Sequence, residues 1–174
     1  MTTPLPIRAS LKDILLLIQT QVVAITGLDI SRVIITAKSP DQVLHAGATE
    51  DILLRVMGER PDTNQIDGAG RIVNNRLRTV QVVVRTKVAL DPTGQDQVHL
   101  TDPTLGHFVL EDSVVDALEE FFPLDINGNL LTAVPVRIGP WGLPTPDRED
   151  DTWLSSTADL EIVYTRNLDL TKGY

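Results

Sequence analysis

The chain reads as an α+β domain: a mixed, largely antiparallel sheet with two main helices packed on one face. Three observations predict it. The segment Arg78 to Val88, RTVQVVVRTKV, alternates, with Val80, Val82, Val84 and Val88 on one face and Gln81, Arg85 and Lys87 on the other. Two stretches, residues 10–26 and 104–122, repeat apolar side chains at helical spacing. The elements run as helix, two short strands, a long strand, helix and two more strands, with no internal repeat.

Ser10 opens the first helix. With Asp13 it makes an S-x-x-D start, the short-side-chain form of a capping box, and Leu11, Ile14, Leu15, Ile18, Val22 and Ile25 follow before Gly27 closes the element. Leu16, Leu17 and Val23 widen the apolar stripe beyond what one sheet face needs, so this helix is either covered on two sides or partly meets another subunit. Short strands follow over Arg32 to Ala37, ended by Ser39-Pro40, and over Ile52 to Met57, ended by Gly58. Residues 58–76 are polar and rich in turn formers, which predicts a long loop or a projecting hairpin.

The strong strand ends at the DPTG turn, Asp91 to Gly94. Thr104, after Pro103, opens the second helix. Its inner side is Leu105, Phe108, Val109, Val115, Leu118 and Phe122, its wet side Glu111, Asp112, Asp116, Glu119 and Glu120, and Pro123 stops it. After the DINGN turn, Asp125 to Asn129, the run Leu130 to Ile138 reads as a strand that Pro135 confines to an edge. Residues 139–153 hold three prolines and two glycines and form a second long loop. The last strand runs from Ala158, with Leu160, Ile162 and Tyr164 against Asp159, Glu161 and Thr165.

A length of 174 residues gives one domain spanning 1–174, able to bury roughly two thirds of its unfolded surface without staples. Hydrophobic content of 42% and a mean hydropathy of +0.02 are ordinary for a soluble chain. Zero cysteines exclude disulfides, thiol nucleophiles and cysteine zinc sites. No signal peptide or membrane span is readable, so synthesis and folding in a cytoplasm are expected.

Charge is uneven. Gly68 to Leu90 carries Arg71, Arg76, Arg78, Arg85 and Lys87 with no acid, +5; Met1 to Asp67 carries −2, and Asp91 to Tyr174 carries −12, within a net −9. A basic middle in an acidic protein is a solvated face, an anion or nucleic-acid patch, or half of a self-complementary contact. A pI near 4.7 disfavours tight nucleic-acid binding, and contact with the acidic part of another copy fits better.

Chemical motifs are sparse. The GAG of Gly68 to Gly70 lacks a third spaced glycine and a following helix, so it makes no phosphate cradle. DINGN imitates a calcium loop but has glycine at the fourth position and no glutamate at the twelfth, so a turn is expected. His45, His99 and His107 show no metal-ligand spacing and read as surface or turn residues. Ser155 and Ser156 have no histidine nearby in the sequence, and the paired acids, Glu119-Glu120 and Glu149-Asp150-Asp151, read as hydrated surface. No catalytic, cofactor or metal site is assigned. Trp141 and Trp153 flank Pro144, Asp147, Glu149, Asp150 and Asp151, and a tryptophan beside rigid proline makes a low-entropy anchor for a partner. The alternative is that both indoles fold back over the core.

The helix at the start, RTVQVVVRTKV, GHFVLEDSVVDAL, DINGN, the strand ending VRIG and WLSSTADLEIVYTRNLD together resemble tail terminator proteins of tailed bacteriophages, as a pattern from Ser10 to Leu170. The two long loops have no counterpart in it. The resemblance implies a virion protein with an α+β fold. Its copies form a hexameric ring that caps the tail tube protein, stops its polymerisation and docks to a neck, stopper or connector protein, meeting the sheath where the tail is contractile. DNA passes through without sequence-specific binding. The expected subunit contact joins Arg71, Arg76, Arg78, Arg85 and Lys87 of one copy to Glu111, Asp112, Asp116, Glu119 and Glu120 of the next, closing head to tail. One long loop would meet the tube or neck. Another head-to-tail completion protein is the runner-up, and a small enzyme or ligand-binding module with a pocket under the helices is the reading from a different class.

Overall fold

The computed structural model describes residues 10–46, 49–61, 75–87, 106–146 and 153–165. In chain order the elements are α1 (Leu11–Thr26), β1 (Val33–Thr36), β2 (Glu50–Pro61), β3 (Asn75–Lys87), α2 (His107–Leu118), β4 (Arg137–Ile138), β5 (Thr145–Pro146) and β6 (Trp153–Thr165). The sheet order is β1-β2-β3-β6-β4, with β5 also on β6. Only β1 and β2 are parallel; the other pairs are antiparallel. The fold is therefore α+β, with a mixed, mostly antiparallel sheet.

Local chemistry sets the ends of α1. The Ser10 hydroxyl accepts from the Asp13 amide at 3.2 Å, and Gly27 adopts the left-handed φ of 72° while its amide reaches the Val23 carbonyl. Ile14, Leu15, Ile18 and Val22 of α1, with Val114, Ala117 and Leu118 of α2, cover Ile52, Leu54, Val80, Val82, Val84, Leu160 and Ile162. Both helices thus sit on one sheet face. Leu17 and Val23 pack against this core while Leu16 stays exposed, so the wide stripe of α1 is mostly consumed by α2.

Several boundaries differ from the sequence reading. Gly58 does not end β2; the strand absorbs a register shift between Val56 and Glu59 and runs on to Pro61, paired with Arg76. Residues 58–61 and 75–76 are thus hairpin strands, and the connection between them lies outside the described residues, as do Gly68 to Gly70, the DPTG turn, His99, Thr104 and Leu105. The second helix stops at Leu118, short of Pro123, because the backbone turns extended at Glu119 before Glu120 takes a positive φ of 56°. Leu130 to Ile138 is strand only at Arg137–Ile138. The rest bends, anchored by the Leu131 amide on the Pro123 carbonyl and the Ala133 amide on the Val163 carbonyl, although its edge placement holds. The last strand begins at Trp153, earlier than Ala158.

DINGN forms a turn. Gly128 has φ 77°, and the Asp125 carboxylate accepts from the amides of Asn127 and Asn129 and from the Asn129 side chain. The Asn129 side-chain donor, then the backbone donors, hold this carboxyl below its ordinary value. A lowered folded value means that the carboxylate stabilises the fold above the usual aspartate range and loses that contribution as pH falls through the folded value. Asp125→Ala is therefore expected to unfold slightly earlier than wild type in urea at pH 7, with the gap closing in acid. An equal gap at both pH values would refute it.

Candidate functional site

The parallel β1–β2 pair requires a crossover, and that segment runs across the sheet face opposite the helices. Arg85 holds it there. It is 1% exposed, and all five of its N–H groups are used. Its Nε and Nη2 grip the two Asp51 oxygens at 2.6 and 2.8 Å, and the remaining protons reach the carbonyls of Val43 at 2.7 Å and of Pro40 and Leu44 at 3.3 Å. Asp51 also accepts from the Ala46 amide at 2.8 Å. A depression of about 540 Å³ opens beside Ser39, Arg85, Thr145 and Ser155, but a guanidinium without a spare donor makes no anion site there. The sequence placed Arg85 on a wet charged surface; it is instead a buried clamp.

Arg76 and Arg78 lie on the helix face, past the ends of the helices. Arg78 donates to Glu59 Oε2 at 2.6 Å and to the Met57 carbonyl at 2.9 Å across the irregular part of β2, and Arg76 lies 3.9 Å from Glu59. Tyr164 completes the cluster with its hydroxyl 2.9 Å from Glu59 Oε2. Burial, then the Glu59 carboxylate, pushes the phenol above its ordinary value. Arg78 is thus engaged inside the chain, whereas Arg76 stays partly exposed and its Nε makes no hydrogen bond among the described residues. Of the expected basic patch, Lys87 remains exposed and Arg71 lies outside the described residues.

Asp112 and Asp116 on α2, and Glu119 and Glu120 just after it, are exposed as expected, and none has an ion pair or side-chain hydrogen bond among the described residues. Glu111 is different. It is buried against His107, whose ring is 0% exposed, so neither is a surface residue. His107 Nδ1 lies 2.7 Å from the Thr86 hydroxyl, and Nε2 lies 2.9 Å from the Ser156 hydroxyl and 3.2 Å from Glu111 Oε1. The sequence missed this meeting because Ser156 stands 49 residues from His107. A carboxylate beside Nε2 favours a proton on that nitrogen, leaving Nδ1 to accept from Thr86. In acyl-transfer catalysis the carboxylate sits on the other nitrogen, so that the lone pair facing serine is free to take its proton. Here the acid and the serine crowd the same nitrogen, an arrangement that secures packing and does not activate Ser156.

The two tryptophans part company. Trp153 is buried at the start of β6 and stacks on the His45 ring, with centroids 3.8 Å apart at 9°. It anchors the crossover and is not a loop residue free to dock, and His45 is correspondingly more than a turn residue. Trp141 is half-buried between α2 and β4, and its Nε1 is buried without an acceptor. Pro144 is half-buried beside β5; Asp147, Glu149, Asp150 and Asp151 lie outside the described residues. Residues 139–146 follow β6 as an irregular companion, with Gly139 and Gly142 donating to the Asp159 and Thr157 carbonyls at 2.7 and 2.8 Å.

Among the described residues, no group of three or more histidines and acids could hold a metal ion, and no helix is long and apolar enough to cross a membrane. No protein-family model matches the chain, and no curated protein is significantly similar to it.

Proposed function

We propose that this chain is a structural virion protein, a tail terminator whose copies form a ring of about six, as the resemblance implies. The ring caps the tail tube, stops its growth and docks to the neck. The observation that carries this reading is the outer flank of α2 and the turn after it, where Asp112, Asp116, Glu119 and Glu120 stand exposed with no ion pair among the described residues. Asp112 and Asp116 are spaced four apart on the helix, and like charges at that spacing cost it about 0.2–0.5 kcal/mol. A partner that covers the flank offsets this cost. The fold class agrees with the family that the sequence resembles. Net acidity suits a lumen through which DNA slides without being held.

The basic half of the contact differs from the sequence reading, because Arg85 and Arg78 are committed internally; Arg76, Lys87 and cations elsewhere must supply it. Light scattering of the purified protein, alone and with tube protein, tests the proposal. A hexamer-sized species or a capped tube is the expected result. Asp116→Lys should weaken assembly at least tenfold while leaving the unfolding midpoint unchanged or higher, since one reversal turns the Asp112–Asp116 repulsion into an attraction. A wild-type chain that stays monomeric with and without tube protein would refute the ring.

A further inference from the structure

A groove of about 580 Å³ lies beyond β4, between the end of α2 and Trp141. Val115, Pro135, Ile138 and Trp141 wall it, and Glu119 and Glu120 bring two carboxylates against the one guanidinium of Arg137, which leaves it net negative. The groove therefore suits an extended segment offering apolar side chains for the walls and a cation for the carboxylate that Arg137 does not balance.

The other end of the strand order carries such a segment. There β1 is flanked by Ile25 and Ile30, 49% and 56% exposed, and is followed by Lys38, whose exposed ammonium has no partner among the described residues. Lys87 is on the central strand β3 and Lys12 on α1, which leaves Lys38, among the described residues, as the unpaired cation at that edge. We infer that the Trp141 groove takes the β1 edge of a second copy, with its Lys38 against Glu119 and Glu120. The inference rests on the ring reading and names the contact that closes it. Because the two surfaces lie at opposite ends of one sheet, the contact is head to tail and repeats from copy to copy. Lys38 would lay its aliphatic stem along apolar surface while its head meets the carboxylates.

The absence of cysteine makes the test clean. Lys38→Cys/Glu119→Cys treated with a short bis-maleimide should give a covalent ladder ending in a closed ring on a denaturing gel, and neither single variant should ladder. Lys38→Glu and Glu119→Lys/Glu120→Lys should each weaken assembly at least tenfold, and mixing the two should restore it. If scattering shows rings but no ladder forms and the charge variants assemble normally, this contact is wrong and the ring reading stands. Crosslinking of Glu119→Cys to tube protein alone would assign the groove to the tube and overturn the inference. A chain that never assembles removes the ring reading itself.

Discussion

Arg85→Met is expected to destabilise the protein by about 3–5 kcal/mol, the cost of stranding a buried carboxylate by removing its partner. For a domain of this size that lowers the melting temperature by roughly 10 °C. Asp51 would keep the Ala46 amide but lose both guanidinium bonds, and the carbonyls of Pro40, Val43 and Leu44 would lose their donor. Those carbonyls separate two accounts of the cluster. Were Arg85 and Asp51 merely an ion pair, Arg85→Met/Asp51→Leu would recover most of the stability, because an apolar pair of similar volume can replace buried charges. If the arginine is a clamp for the β1–β2 crossover, the double variant stays about 2 kcal/mol or more below wild type, because orphaned buried acceptors remain. Urea unfolding of the two single variants and the double variant decides it. Full recovery would show that the crossover needs no clamp.

This clamp also marks where sequence reading stops. The alternation in β3 correctly placed Val80, Val82 and Val84 toward the helices, because a period of two depends only on near neighbours. Its other face was read as wet, yet Val83 and Arg85 are buried there. Their burial depends on β1 and β2 being parallel, a pairing that sends the connecting segment over that face and that no local pattern encodes. The ends of α1 were legible because Ser10 and Gly27 act within one turn. The end of α2 was not, since apolar spacing continues through Phe122 after the backbone has left the helix at Glu119. The acidic flank of α2 was readable as surface; the Trp141 groove was not, because the indole needs α2 and β4 together to bury it.

His107→Leu is expected to cost about 3 kcal/mol. Leucine fills much of the ring's volume but leaves the Thr86 and Ser156 hydroxyls and the Glu111 carboxylate facing an apolar group, each buried polar atom costing about 1–3 kcal/mol when unsatisfied. Ser156→Ala should cost far less, about 1 kcal/mol, because only one hydrogen bond is lost and His107 Nδ1 keeps the Thr86 hydroxyl. The pair of values bears on function as well as stability. An enzyme that needs Ser156 as nucleophile must free it for attack, and its hydroxyl would then react with a fluorophosphonate. A structural network fixes the first turn of α2 to β3 and β6, and its serine, 2% exposed, should resist that reagent in the folded chain. Labelling at Ser156 without loss of fold, together with a His107→Leu variant as stable as wild type, would remove the structural account and favour acyl-transfer chemistry. Resistance to the reagent with a large loss of stability would leave the core of this chain as scaffolding, with any activity confined to its outer surfaces.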